Sequence, residues 1–486
     1  MVLEKIISSD FRAQGLKPED FSLDVPGLSR DSRTTKKGDA FFCLTEDETL
    51  ARERCTQAKK NGASVVFSNF DFPDVIKVED ARDAFAKACA NFYERVCDKM
   101  KIIGLTGTNG KTTTTHLIAE ILNRNGKKSG VIGTNGVFFD NKTKHCPLTT
   151  PDADFLHKTF KEMHEAGVEF VVMEVSAHAI AQKRINGINF EIGMLTNITQ
   201  DHLDYFKTFE KYEKTKLSFF TKNHMKKAVV CSDDLSACKL LRNCDVPIVT
   251  YGLKNPSDTF AIDVCCSIQG THFVGNVCDE VVNIKTNLIG DYNVLNSLGA
   301  MAVCHSLGLD GKQLEQGLNY VYPIEGRFNV INFTGKNIVI DFAHSPDGLK
   351  KVLETAKTLT EGKLFVVFGC GGNRDRGKRH KMGKIAEEFA DVVCLTDDNP
   401  RMEKSEDIIA DIEMGMKKSH FVIPDRTTAI RTMIDEAKPG DVLVIAGKGA
   451  EKFQEVGEEK KPYNDFDAVY QYFKESDPIL NRGKEY

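Results

Sequence analysis

Apolar positions fall into short continuous runs that alternate with stretches of helical period. Near the N-terminus, DAFFCL (Asp39–Leu44) and ASVVF (Ala63–Phe67) have the length and apolar character of buried strands. Between them ARERCTQAKKNG predicts a helix stopped by Gly62, and ARDAFAKACANFYERV predicts a second helix with one apolar face. The polar DKMK that follows is a candidate domain boundary. From Lys101 the rhythm becomes strand, polar turn, helix. KIIGLTG enters a glycine turn, and TTTTHLIAEILNRNG is a helix closed by Gly126. VEFVVMEVS (Val168–Ser176), IGMLTNI (Ile192–Ile198), AVVCSDD and VPIVTYG are further strands. After Gly326-Arg327 the rhythm restarts, with NIVIDFAH, KLFVVFGCGG, DVVCLTDDNP and DVLVIAGKG each a strand running into a polar loop. This alternation predicts an α/β protein with parallel sheets, whose ligands bind at the C-terminal strand ends. The expected domains are 1–98, 99–326 and 327–486.

Composition narrows the class. The 486 residues are 41% hydrophobic, enough for packed cores and too much for wholesale disorder. Net charge is −5, which argues against a protein that coats nucleic acid. No apolar run is long enough for a membrane span, and MVLEKIISSDFRAQG lacks the apolar core of a signal peptide. The fourteen cysteines form no CxxC pair and sit in contexts such as VVCL around Cys394. They read as reduced, mostly buried thiols of a cytoplasmic protein.

The strongest local signal is Gly104-Leu-Thr-Gly-Thr-Asn-Gly-Lys-Thr-Thr113, between a strand and a helix. Gly107 and Gly110 let N–H groups turn inward on phosphate oxygens, and the helix N-terminus adds positive potential. Lys111 suits the β/γ-phosphates of a nucleotide, and the Thr112 hydroxyl suits Mg2+. The strict P-loop spacing fails, since Leu105 stands where its first glycine belongs. Glu174 and His202 follow neighbouring strands, so both are placed to reach a Mg2+ beside the loop. Lys216, in FEKYEKTKLSFF, reads on its own as one surface lysine among several.

Ten ordered motifs resemble the Mur ligases, ATP-dependent amide-bond ligases of peptidoglycan precursor synthesis in bacteria. They are TGTNGKTTT (106–114), TTPD (149–152), MEVSAHAIAQKR (173–184), TNITQDHLDYF (196–206), YEKTKLSFF (212–220), GDYNVLNSLGA (290–300), EGRFN (325–329), DFAHSPDGL (341–349), FGCGGNRDRGKR (368–379) and TDDNPR (396–401). The resemblance implies an N-terminal domain for a UDP-sugar, a central P-loop-type ATP-binding domain and a C-terminal Rossmann-like domain for the incoming amino acid. It implies an acyl phosphate formed on the substrate's glutamyl carboxylate, then attack by an amine. It places ATP on Gly107, Thr108, Asn109, Gly110, Lys111, Thr112, Thr113, Asn293, Arg327, Asp341 and His344. Catalytic roles fall to Lys111, Glu174, His202 and a carbamylated Lys216, with Mg2+ on Thr112, Glu174, His202 and Lys216. The UDP-N-acetylmuramoyl-dipeptide is expected along Ser32, Thr149, Thr150, Ser176, Gln182 and Arg184.

The resemblance also marks Arg374, Asp398, Asn399, Pro400, Arg401, Gly447 and Glu451 for the amino acid. Within DNPR (398–401), Asp398 and Asn399 suit a distal ammonium and Arg401 a distal carboxylate, which implies meso-diaminopimelate. Two departures stand out. The family's GKGHE reads Gly447-Lys-Gly-Ala450-Glu451, and TEDETLARE replaces the usual DGH segment after the DAFFCL strand. A lysine-adding or other Mur-type ligase therefore stays open at this point, as does a phosphate-binding ATPase that makes no bond. No motif encodes an oligomeric state, and a monomer is the expectation. Residues 374–384, RDRGKRHKMGK, hold six Lys/Arg against one Asp and predict a cationic loop at a strand end.

Overall fold

A computed structural model describes residues 1–7, 13–14, 16 and 18–476. Among them, strands gather into four sheets. The first orders Ala13–Gln14, Ile76–Val78, Val65–Ser68, Ala40–Cys43 and Leu28–Ser29, with the helix Glu48–Lys60 between two of its strands in sequence and the helix Ala81–Phe92 after the last of them. Both helices start where the chain supplies an acceptor. Asp47 accepts the Leu50 N–H, and Asp80 accepts those of Arg82 and Asp83.

The second sheet has eleven strands. Its centre is parallel: Phe170–Glu174, Lys101–Thr106, Phe190–Leu195, Met225–Cys231 and Ile248–Gly252. Alternate residues feed opposite faces, as the strand period requires. Ile102, Val171 and Met173 join one core with Leu156, Phe160 and Met163 of the helix Ala153–Glu165. Ile103, Leu105 and Val172 join the other with Leu117, Ile121, Leu298 and Met301. Antiparallel pairing at the two edges was not expected from the sequence. One edge is Ser129–Gly133, Gly136–Phe139 and Lys142–Lys144. The other is the meander Thr259–Ser267, Gly270–Val277 and Glu280–Thr286.

The third sheet orders Asn329–Phe333, Lys336–Asp341, Val442–Ala446, Leu364–Phe368, Val392–Leu395 and Phe421–Val422, parallel except at its first pairing. The four strand-and-loop units of the C-terminal sequence supply its inner strands. A hairpin of Phe453–Val456 and Glu459–Pro462 stands apart from it. All fourteen cysteines are free and nine are buried. No helix among the described residues is long and apolar enough to cross a membrane.

Candidate active site

The strand Lys101–Thr106 has a parallel neighbour on each side, so its terminal turn opens between the ends of Phe170–Glu174 and Phe190–Leu195. Gly107 and Gly110 take φ of +149° and +84° there, and a Cβ on Gly110 would lie 2.5 Å from Asn296 Oδ1. Asn197 fastens the turn: its carbonyl accepts the Thr108 N–H at 2.7 Å and its side chain the Asn109 N–H at 3.0 Å. The helix Lys111–Arg124 starts without a side-chain cap. The N–H groups of Gly110 to Thr113 find no acceptor among the described residues. Four unpaired donors at a helix start make an anion site. Lys111 Nζ lies across the turn, donating to the carbonyls of Gly107 and Thr108 at 2.9 and 3.0 Å.

Thr112 Oγ1 donates to Glu174 Oε1 at 2.9 Å and accepts from Arg327 Nη2 at 3.1 Å. The other partner of Glu174 is Thr134, through its N–H at 2.8 Å and its hydroxyl at 3.2 Å. Lys216 is not a surface residue. The residue is 2% exposed, and Nζ donates to the Gly107 carbonyl at 2.7 Å. Burial, reinforced by the Lys111 charge, pushes its ammonium well below the ordinary value. Burial likewise takes His202 down to about 4, although Asp201 opposes it. Asp201 is itself held near 2: burial acts to raise it, and His202, His344 and Lys378 outweigh that. Asp341 moves the other way, up to about 6, because burial outweighs Arg327 and the N–H groups of Phe328 and Ala343.

One cavity of about 670 Å3 joins these groups to the C-terminal sheet. It is lined by residues 107–113, Glu174, His202, Lys216, Asn293, Arg327, Asp341 and His344, and equally by Thr149, Ser176, Arg374, Asp398, Asn399, Arg401, Gly447 and Glu451. Asn109 Nδ2 bridges it to Asp347 Oδ2 at 2.8 Å. Asp201, Asn296 and Lys378 also line it, though sequence reasoning did not assign them. Their only signal was position inside matched motifs.

Five candidates lie outside the lining: Ser32, Thr150, Gln182, Arg184 and Pro400. The Ser32 carbonyl accepts from Asn61, and Thr150 Oγ1 fixes the Glu174 carbonyl and the Ser176 N–H. Arg184 does not present an open fork. It donates to Gln182 Oε1 through Nε and Nη2 and to the Thr150 carbonyl through Nη1, and it pairs with Asp152 at 3.1 Å.

The amino-acid motif is likewise partly spent. Asn399 Oδ1 accepts from Lys448 Nζ and the Glu455 N–H, both at 2.9 Å, so it offers no free acceptor to an ammonium. The Asp398 carboxylate receives no hydrogen bond among the described residues, and a Cβ on Gly447 would lie 2.7 Å from its Oδ2. Arg374 is exposed and makes no hydrogen bond or ion pair among the described residues. Two of the six cations in this run are neutralised: Arg376 and the buried Arg379 pair with Asp411, and Arg379 also with Glu403. A sequence count sees the cations and not the remote carboxylates.

No cluster of three or more His, Cys, Asp or Glu with metal-holding geometry occurs among the described residues. The oxygens of Thr112 and Glu174 are the hard donors that Mg2+ prefers, whereas an amine at Lys216 is not.

The model of the Mur ligase middle domain matches residues 105–304, and that of the Mur ligase, glutamate ligase domain matches 326–449. UDP-N-acetylmuramoyl-L-alanyl-D-glutamate–2,6-diaminopimelate ligase 1 of Clostridium acetobutylicum is 37% identical over 94% of this chain and 96% of its own. The corresponding ligase of Aquifex aeolicus is 39% identical over 92% and 93%. A solved structure of a ligase of that name superposes with a TM-score of 0.71 at 32% identity, over 98% of this chain and 99% of the other. The MurF ligase of Thermotoga maritima in complex with ADP shares the fold, with a TM-score of 0.61 at 19% identity over 92% of this chain and 97% of that one. A nucleotide-type loop and an amino-acid-type loop facing one cavity, matched over nearly the full length of such relatives, lead to one conclusion: this chain belongs to the Mur ligase family.

Proposed function

We propose that the chain is an ATP-dependent ligase that adds meso-diaminopimelate to UDP-N-acetylmuramoyl-L-alanyl-D-glutamate, as the names of its relatives describe for them. Domains 1–98, 99–326 and 327–486 would bring the UDP-sugar, ATP and the amino acid respectively. In the first step a glutamyl carboxylate oxygen attacks the γ-phosphorus, the bond to ADP breaks, and an acyl phosphate forms. In the second, the amine nitrogen attacks the acyl carbon, phosphate departs with the bonding pair, and the nitrogen loses a proton.

The observation that carries this reading is the shared cavity. The unpaired N–H groups of Gly110 to Thr113 open onto the same space as the unpaired Asp398 carboxylate and the Arg374 guanidinium. Amide ligation needs both held in line, and such positioning supplies much of the rate. The N–H groups and Lys111 bind phosphate, and Arg327, tied to Thr112, adds charge from the C-terminal side. Thr112 and Glu174 would hold Mg2+, which when bound neutralises phosphate charge. The uncharged amine of the buried Lys216 is the form that adds carbon dioxide, losing a proton to give a carbamate. That product supplies the oxygen donors which the amine lacks. Asp398 accepts the distal ammonium, and Arg401 and Arg374 are the cations for the carboxylates. Peptidoglycan precursor synthesis in the cytoplasm by a monomer is the setting this reading implies.

The test is ligation with UDP-N-acetylmuramoyl-L-alanyl-D-glutamate and ATP, offering meso-diaminopimelate, L-lysine and L-ornithine in turn and weighing the product. The diaminopimelate adduct is expected. Preference for lysine would overturn the specificity, and ATP turnover without any adduct would overturn the ligase reading.

A further inference from the structure

The hairpin Phe453–Val456 and Glu459–Pro462 supplies much of what holds the segment 398–401, alongside Lys448, Glu451 and Gly372. Gln454 Nε2 donates to the Asp398 carbonyl at 2.8 Å. The Glu455 N–H donates to Asn399 Oδ1 at 2.9 Å. Arg401 donates its N–H to the Glu455 carbonyl at 3.0 Å and accepts the Gly457 N–H at 2.8 Å. A parallel bridge pairs Arg401 with Val456, and Arg401 takes a left-handed φ of +52° within it. An arginine adopts that backbone only where the surroundings impose it.

The side chains repeat the pattern. Arg401 Nε donates to Glu455 Oε2 at 2.6 Å, and Nη1 donates to the Gly372 carbonyl at 3.0 Å. Nη2 has no acceptor among the described residues. Arg401 lines the cavity and Glu455 does not. The carboxylate that holds the guanidinium thus comes from outside the lining. A free arginine has several rotatable bonds and loses their entropy on binding an anion. One tied at Nε and Nη1 has already lost it.

We infer that Glu455 is a positioning residue for substrate specificity: it holds Arg401 so that Nη2 meets the distal carboxylate of the incoming diamino acid. Glu455 touches no reacting atom and acts through Arg401. The inference rests on the diaminopimelate reading above, and the assay separates the two.

The experiment measures KM and kcat for meso-diaminopimelate, ATP and the UDP-dipeptide in the wild type, Glu455→Ala and Glu455→Gln. Glu455→Ala is expected to raise the KM for meso-diaminopimelate by about tenfold, with kcat changed less than about threefold, as for lost pre-organisation of one charged contact. The KM values for ATP and the UDP-dipeptide should stay within about twofold. Glu455→Gln keeps an acceptor for Nε and should recover most of the loss. In an Arg401→Ala background, Glu455→Ala should add nothing further. Equal loss for all three substrates would show a merely structural role and overturn the inference. A lower KM for diaminopimelate in Glu455→Ala would show that Glu455 competes with the substrate, and would overturn it too. Wild-type enzyme with no turnover of meso-diaminopimelate would overturn the function reading and this inference together.

Discussion

The two halves of the cavity are built on opposite plans. On the phosphate-loop side, polar groups are left without partners: four N–H donors at the start of Lys111–Arg124 have no acceptor, and Lys111 and Lys216 reach only carbonyls of the loop itself. On the amino-acid side, most groups are already satisfied by protein. Asn399, Lys448, Glu451, Arg401 and Glu455 bond one another, leaving Asp398 and Arg374 open. In the proposed function the first half binds by backbone and by charges that burial has weakened. The second would bind through side chains set among others that the protein has already paired, Arg401 by Glu455 from outside the lining. Changes in the first half should fall on kcat, and changes in the second on the KM of one substrate.

The largest effect tests the first half. Lys216→Ala should lower kcat by about 10^2–10^3-fold, the usual cost of losing an electrostatic group at a reacting centre. Phosphate release would measure it. A short carboxylic acid should restore part of the rate, because it supplies the oxygens that the proposed carbamate would provide.

Asp341 provides a pH signature of the same burial. In the folded chain its carboxyl keeps its proton up to about 6, whereas unfolded it ionises near ~4. Between those values the folded chain carries the extra proton, so stability falls as pH rises through this window and levels off above 6. The drop is on the order of 2–3 kcal/mol. Denaturant titrations from pH 4 to 7 should show it, and Asp341→Asn should flatten that part of the profile while lowering stability throughout.

Thr112→Ala comes next. It removes the hydroxyl that Glu174 and Arg327 share, and about 10–100-fold should be lost from kcat, with the KM for the amino acid little changed. A selective rise in amino-acid KM would break the division between halves.

The smallest pair of effects sharpens the second half. Arg374→Ala should raise the KM for meso-diaminopimelate by about tenfold. Arg376→Ala, two residues away, breaks only an exposed pair with Asp411. It should shift stability by less than about 1 kcal/mol and leave that KM within about twofold. Equal effects at both positions would restore the view of the run as one cationic patch.

The same contrast explains what the sequence made legible. The loop from Gly104 to Thr113 could be read because its chemistry is local: strand, glycine turn, Lys-Thr and helix are contiguous. The parallel core strands could be read because each is an unbroken apolar run. The edge meander 259–286 could not. Its strand Thr259–Ser267 is exposed at alternate positions and mixes apolar with polar residues, so it carries no core signal. Lys216 was visible only through resemblance, since its burial depends on packing against a turn more than a hundred residues away. Arg184 and Asn399 were named for groups that the folded chain spends on its own partners, and Glu455 was not named at all. Partner choice across distant loops is the information that residue spacing lacks.

The central claim is that both halves serve one bond, made through an acyl phosphate. The direct measurement uses UDP-N-acetylmuramoyl-L-alanyl-D-glutamate carrying oxygen-18 in the glutamyl carboxylate that is joined, with ATP and meso-diaminopimelate. The account predicts one labelled oxygen in the released phosphate for each amide formed. Product formed with unlabelled phosphate would contradict it.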